Sequence, residues 1–137
     1  MKHVFADTHY WIAITRPKDQ SRKPALGARK ALGNVILVTT DEVLAEFMTA
    51  LSTGGRELRR RAVKMVKEIL RNPNVKVLPQ TRDSFLKGVE LYAAREDKKY
   101  SLPDCISMNA MEAHSIREVL THDHHFEQEG YVVLIRK

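Results

Sequence analysis

The chain has a single cysteine, Cys105, in 137 residues. A lone thiol excludes an intramolecular disulfide and fits a reducing compartment. No apolar run approaches the roughly 20 residues needed to span a bilayer, which excludes a transmembrane helix. No signal peptide is expected: Met1–Lys2 leads straight into an apolar strand and then Asp7, with no small-residue cleavage site. Repeats, linkers and low-complexity tracts are also missing, so nothing divides the sequence. One cytoplasmic domain over residues 1–137 is expected, long enough to bury about two-thirds of its unfolded surface.

Acids are the minority charge. The sequence has 23 Lys and Arg against 17 Asp and Glu, a formal net charge of +6. A basic domain favours anionic partners, of which nucleic acid is the commonest.

Short β-branched or apolar runs predict strands at about His3–Ala6, Val35–Val38, Val75–Leu78, Val119–Thr121 and Tyr131–Ile135. Helical patterns fill the gaps. "TTDEVLAEFMTALSTGG" opens with a capping box from Thr39 to Glu42 and stops at Gly54–Gly55. "RELRRRAVKMVKEILR" is apolar at 58, 62, 65, 66 and 69, a helical stripe. "TRDSFLKGVELYAARE" places Phe85, Val89 and Tyr92 on one side. "SLPDCISMNAMEA" starts with Ser101 as N-cap and Pro103 in the first turn. Residues 17–33 read as helical, interrupted by Pro24 and Gly27. The alternation predicts an α/β fold in three layers, α/β/α, around a mainly parallel sheet of about five strands.

Function in open α/β sheets gathers at the carboxyl ends of the strands. Four acids fall there or on the helices that follow: Asp7 in "VFADTHYW", Glu46 in "DEVLAEFM", Asp104 in "SLPDCIS" and Asp123 in "LTHDHHF". Most acids in these segments have an ordinary structural reading. Asp7 would cap the next helix, Glu42 would pair with Thr39, Asp104 would complete a capping box with Ser101, and Asp123 would be a turn residue in the loop that runs to Gly130. Glu46 resists such a reading, because its neighbours Leu44, Ala45, Phe47 and Met48 are apolar and a buried carboxylate is costly unless paired or bound to metal. Four acids at one sheet edge exceed what capping needs. Carboxylates held close repel unless a cation neutralises them, and hard oxygen donors suit Mg²⁺ or Mn²⁺. Such a cluster can hold one or two ions that activate water and steady the leaving oxygen of a phosphodiester.

These segments resemble the PIN domains, and within them the VapC-like toxins of type II toxin–antitoxin pairs. The likeness runs over nearly the whole chain: a first strand ending in "ADT", the threonine-led "LVTTDEVLAEFMTAL" with its Glu, "SLPDCISMNAM" with a third acid, and the closing "LTHDHHFEQEGY". Each motif alone is weak; their order and spacing are specific. The resemblance implies a Mg²⁺- or Mn²⁺-dependent endoribonuclease whose catalytic quartet is Asp7, Glu46, Asp104 and Asp123. Asp7 and Asp104 would be the strongest direct metal ligands. Glu46 would act directly or through water, and Asp123 would complete the site or hold a second ion. Thr8 and Thr121 would support the ligands from behind. The implied partners are RNA, a second copy of the chain, and a small antitoxin whose basic residue would enter the acidic cleft.

Other readings differ at named residues. The three His of "HDHH" suggest a transition-metal site, but no Cys or further His is placed to complete it. "DHH" also marks another phosphoesterase family, whose supporting acids would be arranged differently. His3 and His114 read as structural or surface residues. "ADTHY" lacks the second Asp of a haloacid-dehalogenase phosphotransferase, since His9 stands there, and "VKVLPQT" lacks the phosphoacceptor Asp of a receiver domain. The helix at 56–71 carries Arg56, Arg59, Arg60, Arg61, Lys64, Lys67 and Arg71, either a solvated face or a surface that meets RNA. Tyr10, Trp11 and Phe47 read as core rather than as platforms for bases. The rivals to a toxin are an RNA processing or decay nuclease without an antitoxin, and a PIN-fold module that grips RNA without cutting it.

Overall fold

Val4, Phe5 and Ala6 have no accessible surface, because the strand that carries them lies in the middle of a sheet covered on both faces. The computed structural model describes residues 1–136. They form, in chain order, β1 (His3–Ala6), α1 (Thr8–Thr15), α2 (Arg22–Leu32), β2 (Ile36–Thr40), α3 (Asp41–Leu51), α4 (Arg56–Arg71), β3 (Val75–Leu78), α5 (Arg82–Ala94), α6 (Leu102–Ala113), β4 (Glu118–Leu120), α7 (His124–Gln128) and β5 (Val132–Val133). The strand order is β3-β2-β1-β4-β5 and every neighbouring pair is parallel. Phe5 is in register with Val38 on one side and Val119 on the other.

The chain winds outward from β1 to β3, then returns to β4 on the far side of β1. Right-handed crossovers put α1 to α4 on one face and α5 to α7 on the other. The helix contacts agree: α1 meets α2, α3 and α4, while α6 meets α5 and α7. The reversal between β1 and β4 opens a crevice at the carboxyl edge, where α3 also reaches α6. The sheet is the expected parallel one of five strands, with every pair parallel. Among the described residues no helix is long and apolar enough to cross a membrane.

Several boundaries differ from the sequence expectation for physical reasons. The cap of α3 is Thr40, whose side chain accepts the Val43 N–H at 3.1 Å, so the box between Thr39 and Glu42 does not form. Thr39 instead extends β2 opposite Val77, and its hydroxyl donates to the Ala6 carbonyl at 2.9 Å. Helix α3 ends at Leu51, short of Gly54–Gly55; Gly55, at φ +93°, serves as the N-cap of α4. Strand β4 stops at Leu120 because the Thr121 N–H turns back to the Val119 carbonyl. The segment from Asp123 to Gly130 is not an open loop: Asp123 caps the short helix α7 by accepting the His125 N–H at 2.9 Å. Strand β5 covers only Val132–Val133, although Leu134 and Ile135 still donate to Val119 and Thr121.

Helix α5 shows why an apolar side can mislead. Phe85, Val89 and Tyr92 are 41%, 41% and 55% exposed. The helix packs on α6 through Gly88, which is buried, with Ser84 and Leu91 half-buried beside it in the helical repeat. A Cβ at Gly88 would lie 2.6 Å from Ile106 Cγ1, so the small residue sets the approach and the larger apolar ones turn outward. Helix α4 keeps its expected stripe, with Ala62 and Ile69 buried and Leu58, Met65 and Val66 packed partly against the core.

Candidate functional site

Each of the four acids is delivered by a different connection at the carboxyl edge. Asp7 follows β1 at the N-cap position of α1, yet its side chain makes no capping bond. The residue is 6% exposed, and its carboxylate accepts the Thr121 hydroxyl at 3.0 Å. Glu46 stands mid-way along α3, half-buried, with the Thr8 hydroxyl 2.6 Å from Oε1. Asp104 is the third residue of α6. It closes a capping box with Ser101 and is buried, so its capping role and its place in the crevice coexist. Asp123 precedes α7, and its own N–H donates to Thr121 Oγ1 at 3.2 Å. The Thr121 hydroxyl, with no accessible surface, therefore links the first acid to the last.

All four line one cleft of about 1210 Å³, together with Thr8, Glu42, His122 and His125. The closeness shows in the protonation of two of them, Asp7 and Glu46. Burial pushes the Asp7 carboxyl up from 3.8 to about 7; the Thr8 N–H and the Thr121 hydroxyl oppose this, while Asp104 and Glu46 add to it. Burial also raises Glu46 above the usual range. The Thr8 hydroxyl lowers it, and Asp104 and Asp123 raise it again.

The donors fit a divalent cation. Two carboxyls are strained toward the neutral form by burial and by their acidic neighbours, and a cation would relieve both causes at once. The donors are mostly carboxylate oxygens, the chemistry that Mg²⁺ and Mn²⁺ accept. Potential ligand atoms of Asp104, Asp123 and His125 all lie within 4.8 Å of one another.

His125 is the site residue that the sequence left unassigned. Its Nδ1 lies 2.9 Å from Asp104 Oδ2. The signal, a His two residues after an acid, is too common to single out. The other histidines behave differently. His124 is exposed and pairs with Glu127 at 3.2 Å, and the rings of His122 and His9 stack at 3.6 Å between centroids. His3 and His114 are exposed, as expected. Tyr10, Trp11 and Phe47 are buried core residues.

The basic residues occupy separate ground. Arg56, Arg59, Arg60 and Lys64 line a groove of about 870 Å³ along α4 with Val63, Lys67 and Arg71, and none of these lines the acidic cleft.

The PIN domain family model matches residues 4–129. Among solved structures, the fold is similar to that of VapC20 from Mycobacterium tuberculosis, described as a Sarcin-Ricin loop cleaving toxin. The TM-score is 0.84 at 26% identity, over 94% of this chain and 96% of that one. It is also similar to FitAcB from Neisseria gonorrhoeae, at a TM-score of 0.67 and 14% identity over 97% and 96% of the two chains. A toxin–antitoxin complex from Klebsiella pneumoniae matches at 0.61 and 16% identity, over 88% and 87%. At such identities the last two show the fold alone. No curated protein matches.

Proposed function

The chain belongs to the PIN domain family, and from that membership we propose that it is a divalent-metal-dependent endoribonuclease, the toxin of a toxin–antitoxin pair. The observation that carries this reading is the convergence of Asp7, Glu46, Asp104 and Asp123, from four separate connections, on one cleft where burial and acidic neighbours push Asp7 to about 7.

Asp7 and Asp104 would hold a Mg²⁺ or Mn²⁺ ion directly, Glu46 directly or through water, and Asp123 would complete the set or hold a second ion. When bound, the ion supplies activated water and neutralises charge on the phosphodiester. The remaining roles fall to this chain's own groups. Thr121 orients Asp7 and Thr8 orients Glu46, each through a hydroxyl bond that favours the ionised carboxylate. Buried carboxylates cannot all ionise without a cation, so the cleft would be poised to take one up. The basic face of α4, with Arg56, Arg59, Arg60 and Lys64, would attract the RNA backbone and guide it toward the acids.

The similarity to VapC20, described as a toxin, supports a toxin role for this chain, and an antitoxin partner and a cytoplasmic homodimer accord with that role. A basic antitoxin side chain entering the cleft would neutralise the carboxylates and exclude metal. The test is cleavage of a pool of labelled structured RNAs, the sarcin–ricin loop among them, with Mg²⁺, Mn²⁺ or EDTA. The reading expects metal-dependent cutting that is lost in Asp7→Asn and in Asp104→Asn. Binding without cutting in either metal, equal in all three proteins, would leave an RNA-binding module instead.

A further inference from the structure

Four acids do not account for every donor in the cleft. His125 Nδ1 lies 2.9 Å from Asp104 Oδ2 and 3.4 Å from Asp123 Oδ1. We propose that His125 is a nitrogen ligand of the metal site beside Asp104 and Asp123, and that it makes the site select Mn²⁺ over Mg²⁺. This rests on the reading that the cleft binds a divalent cation.

The spacing suits shared coordination. Neighbouring ligands on a six-coordinate ion with bonds of about 2.1 Å lie about 3 Å apart, and the two distances from Nδ1 bracket that value. The imidazole is also held in place. Its residue's backbone N–H is tied to Asp123 Oδ1 at 2.9 Å. The ring packs on Tyr100, with 5.4 Å between centroids. Tyr100 donates its hydroxyl to Glu129 at 2.9 Å, and Arg95 clamps that same carboxylate through Nε and Nη2 at 2.9–3.1 Å. A chain of contacts from Arg95 to the ring thus fixes the donor before any ion arrives.

The "HDHH" segment lacked a Cys or a further His to complete a transition-metal site. The fold supplies carboxylates as the partners instead. From that segment, His125 reaches Asp104, while His124 pairs with Glu127. An imidazole donor favours first-row transition ions, whereas Mg²⁺ asks for oxygen and sheds its waters reluctantly.

The test is electron spin-echo spectroscopy of Mn²⁺ bound to the whole protein, combined with Mg²⁺ competition. Wild type should show a directly coordinated imidazole nitrogen, and His124→Ala should keep it. His125→Gln, checked for folding by its thermal melt, should lose it. Mn²⁺ affinity should then fall at least about tenfold, the low end of what losing even an outer partner of a ligand costs, and the preference over Mg²⁺ should fall with it. Mn²⁺ held in wild type by oxygen alone, or nitrogen coupling that survives His125→Gln, would overturn the inference. So would a wild-type protein that binds no Mn²⁺. RNA cleavage keeps the two readings apart. Nitrogen-coupled Mn²⁺ without cleavage sinks only the nuclease; cleavage with oxygen-only Mn²⁺ sinks only the His125 ligand.

Discussion

Asp7→Asn should stabilise the metal-free protein at pH 8 while removing its activity. The Asp7 carboxyl titrates near 3.8 ordinarily and near 7 in the fold. The folded state therefore holds the proton more tightly than the unfolded chain. Stability is highest below pH 3.8, falls as pH rises through 7, and then levels off. The difference between the two values corresponds to about 4 kcal/mol of lost stability at alkaline pH. Asparagine cannot ionise, so it escapes that loss. It keeps one carbonyl oxygen to accept from Thr121 but forfeits the second acceptor, at a cost of about 1 kcal/mol. The variant should then be about 3 kcal/mol more stable than wild type at pH 8, roughly 10 °C in melting temperature. At pH 4 it should be equal or slightly weaker. Urea denaturation in EDTA at the two pH values reads this directly. Adding Mn²⁺ at about 100 times its Kd should raise wild type by about 2.7 kcal/mol and leave the variant unmoved. A variant destabilised equally at both pH values would refute the reasoning, because Asp7 would then be an ordinary, unstrained hydrogen-bonding group.

Thr121→Val removes the hydroxyl that joins Asp7 to the Asp123 N–H; it should cost about 1–3 kcal/mol in urea denaturation, and calorimetry should show weaker metal binding. Gly88→Ala drives a Cβ against Ile106 in the α5–α6 contact; a loss of about 1–3 kcal/mol is expected, and a gain would mean that the helices are not so close. Replacing Arg59, Arg60 and Lys64 together by Ala should weaken RNA binding and flatten its salt dependence by up to about 2 in log–log slope. Cleavage at saturating RNA should persist, since none of the three lines the acidic cleft.

The order of strands and helices was legible because β-branched runs and helical stripes are local signals, and α4 matched its stripe over its full length. The four acids were legible as a set because strand ends in parallel sheets converge, although taken singly only Glu46 resisted an ordinary structural reading. What stayed hidden depends on contacts between distant segments. Two threonines in a row gave no local reason to choose Thr40 over Thr39 as the cap; the choice is made by β3, whose pairing draws Thr39 into the sheet. The outward turn of Phe85 and Val89 is set by Gly88 meeting Ile106, a fit that hydrophobicity cannot express. Helix α7 was missed because five residues carry too little periodicity, and with it went the one geometry that aims His125 at Asp104.

We propose that the acids are kept at a cost to the fold because they perform the chemistry. The measurement that tests it is the single-turnover rate of RNA cleavage by Asp7→Asn in Mn²⁺ at pH 8, on the preparation whose stability has been determined. Cleavage should fall to background in a protein more stable than wild type. Cleavage at the wild-type rate would contradict it, as would a loss of activity that merely follows a loss of folding.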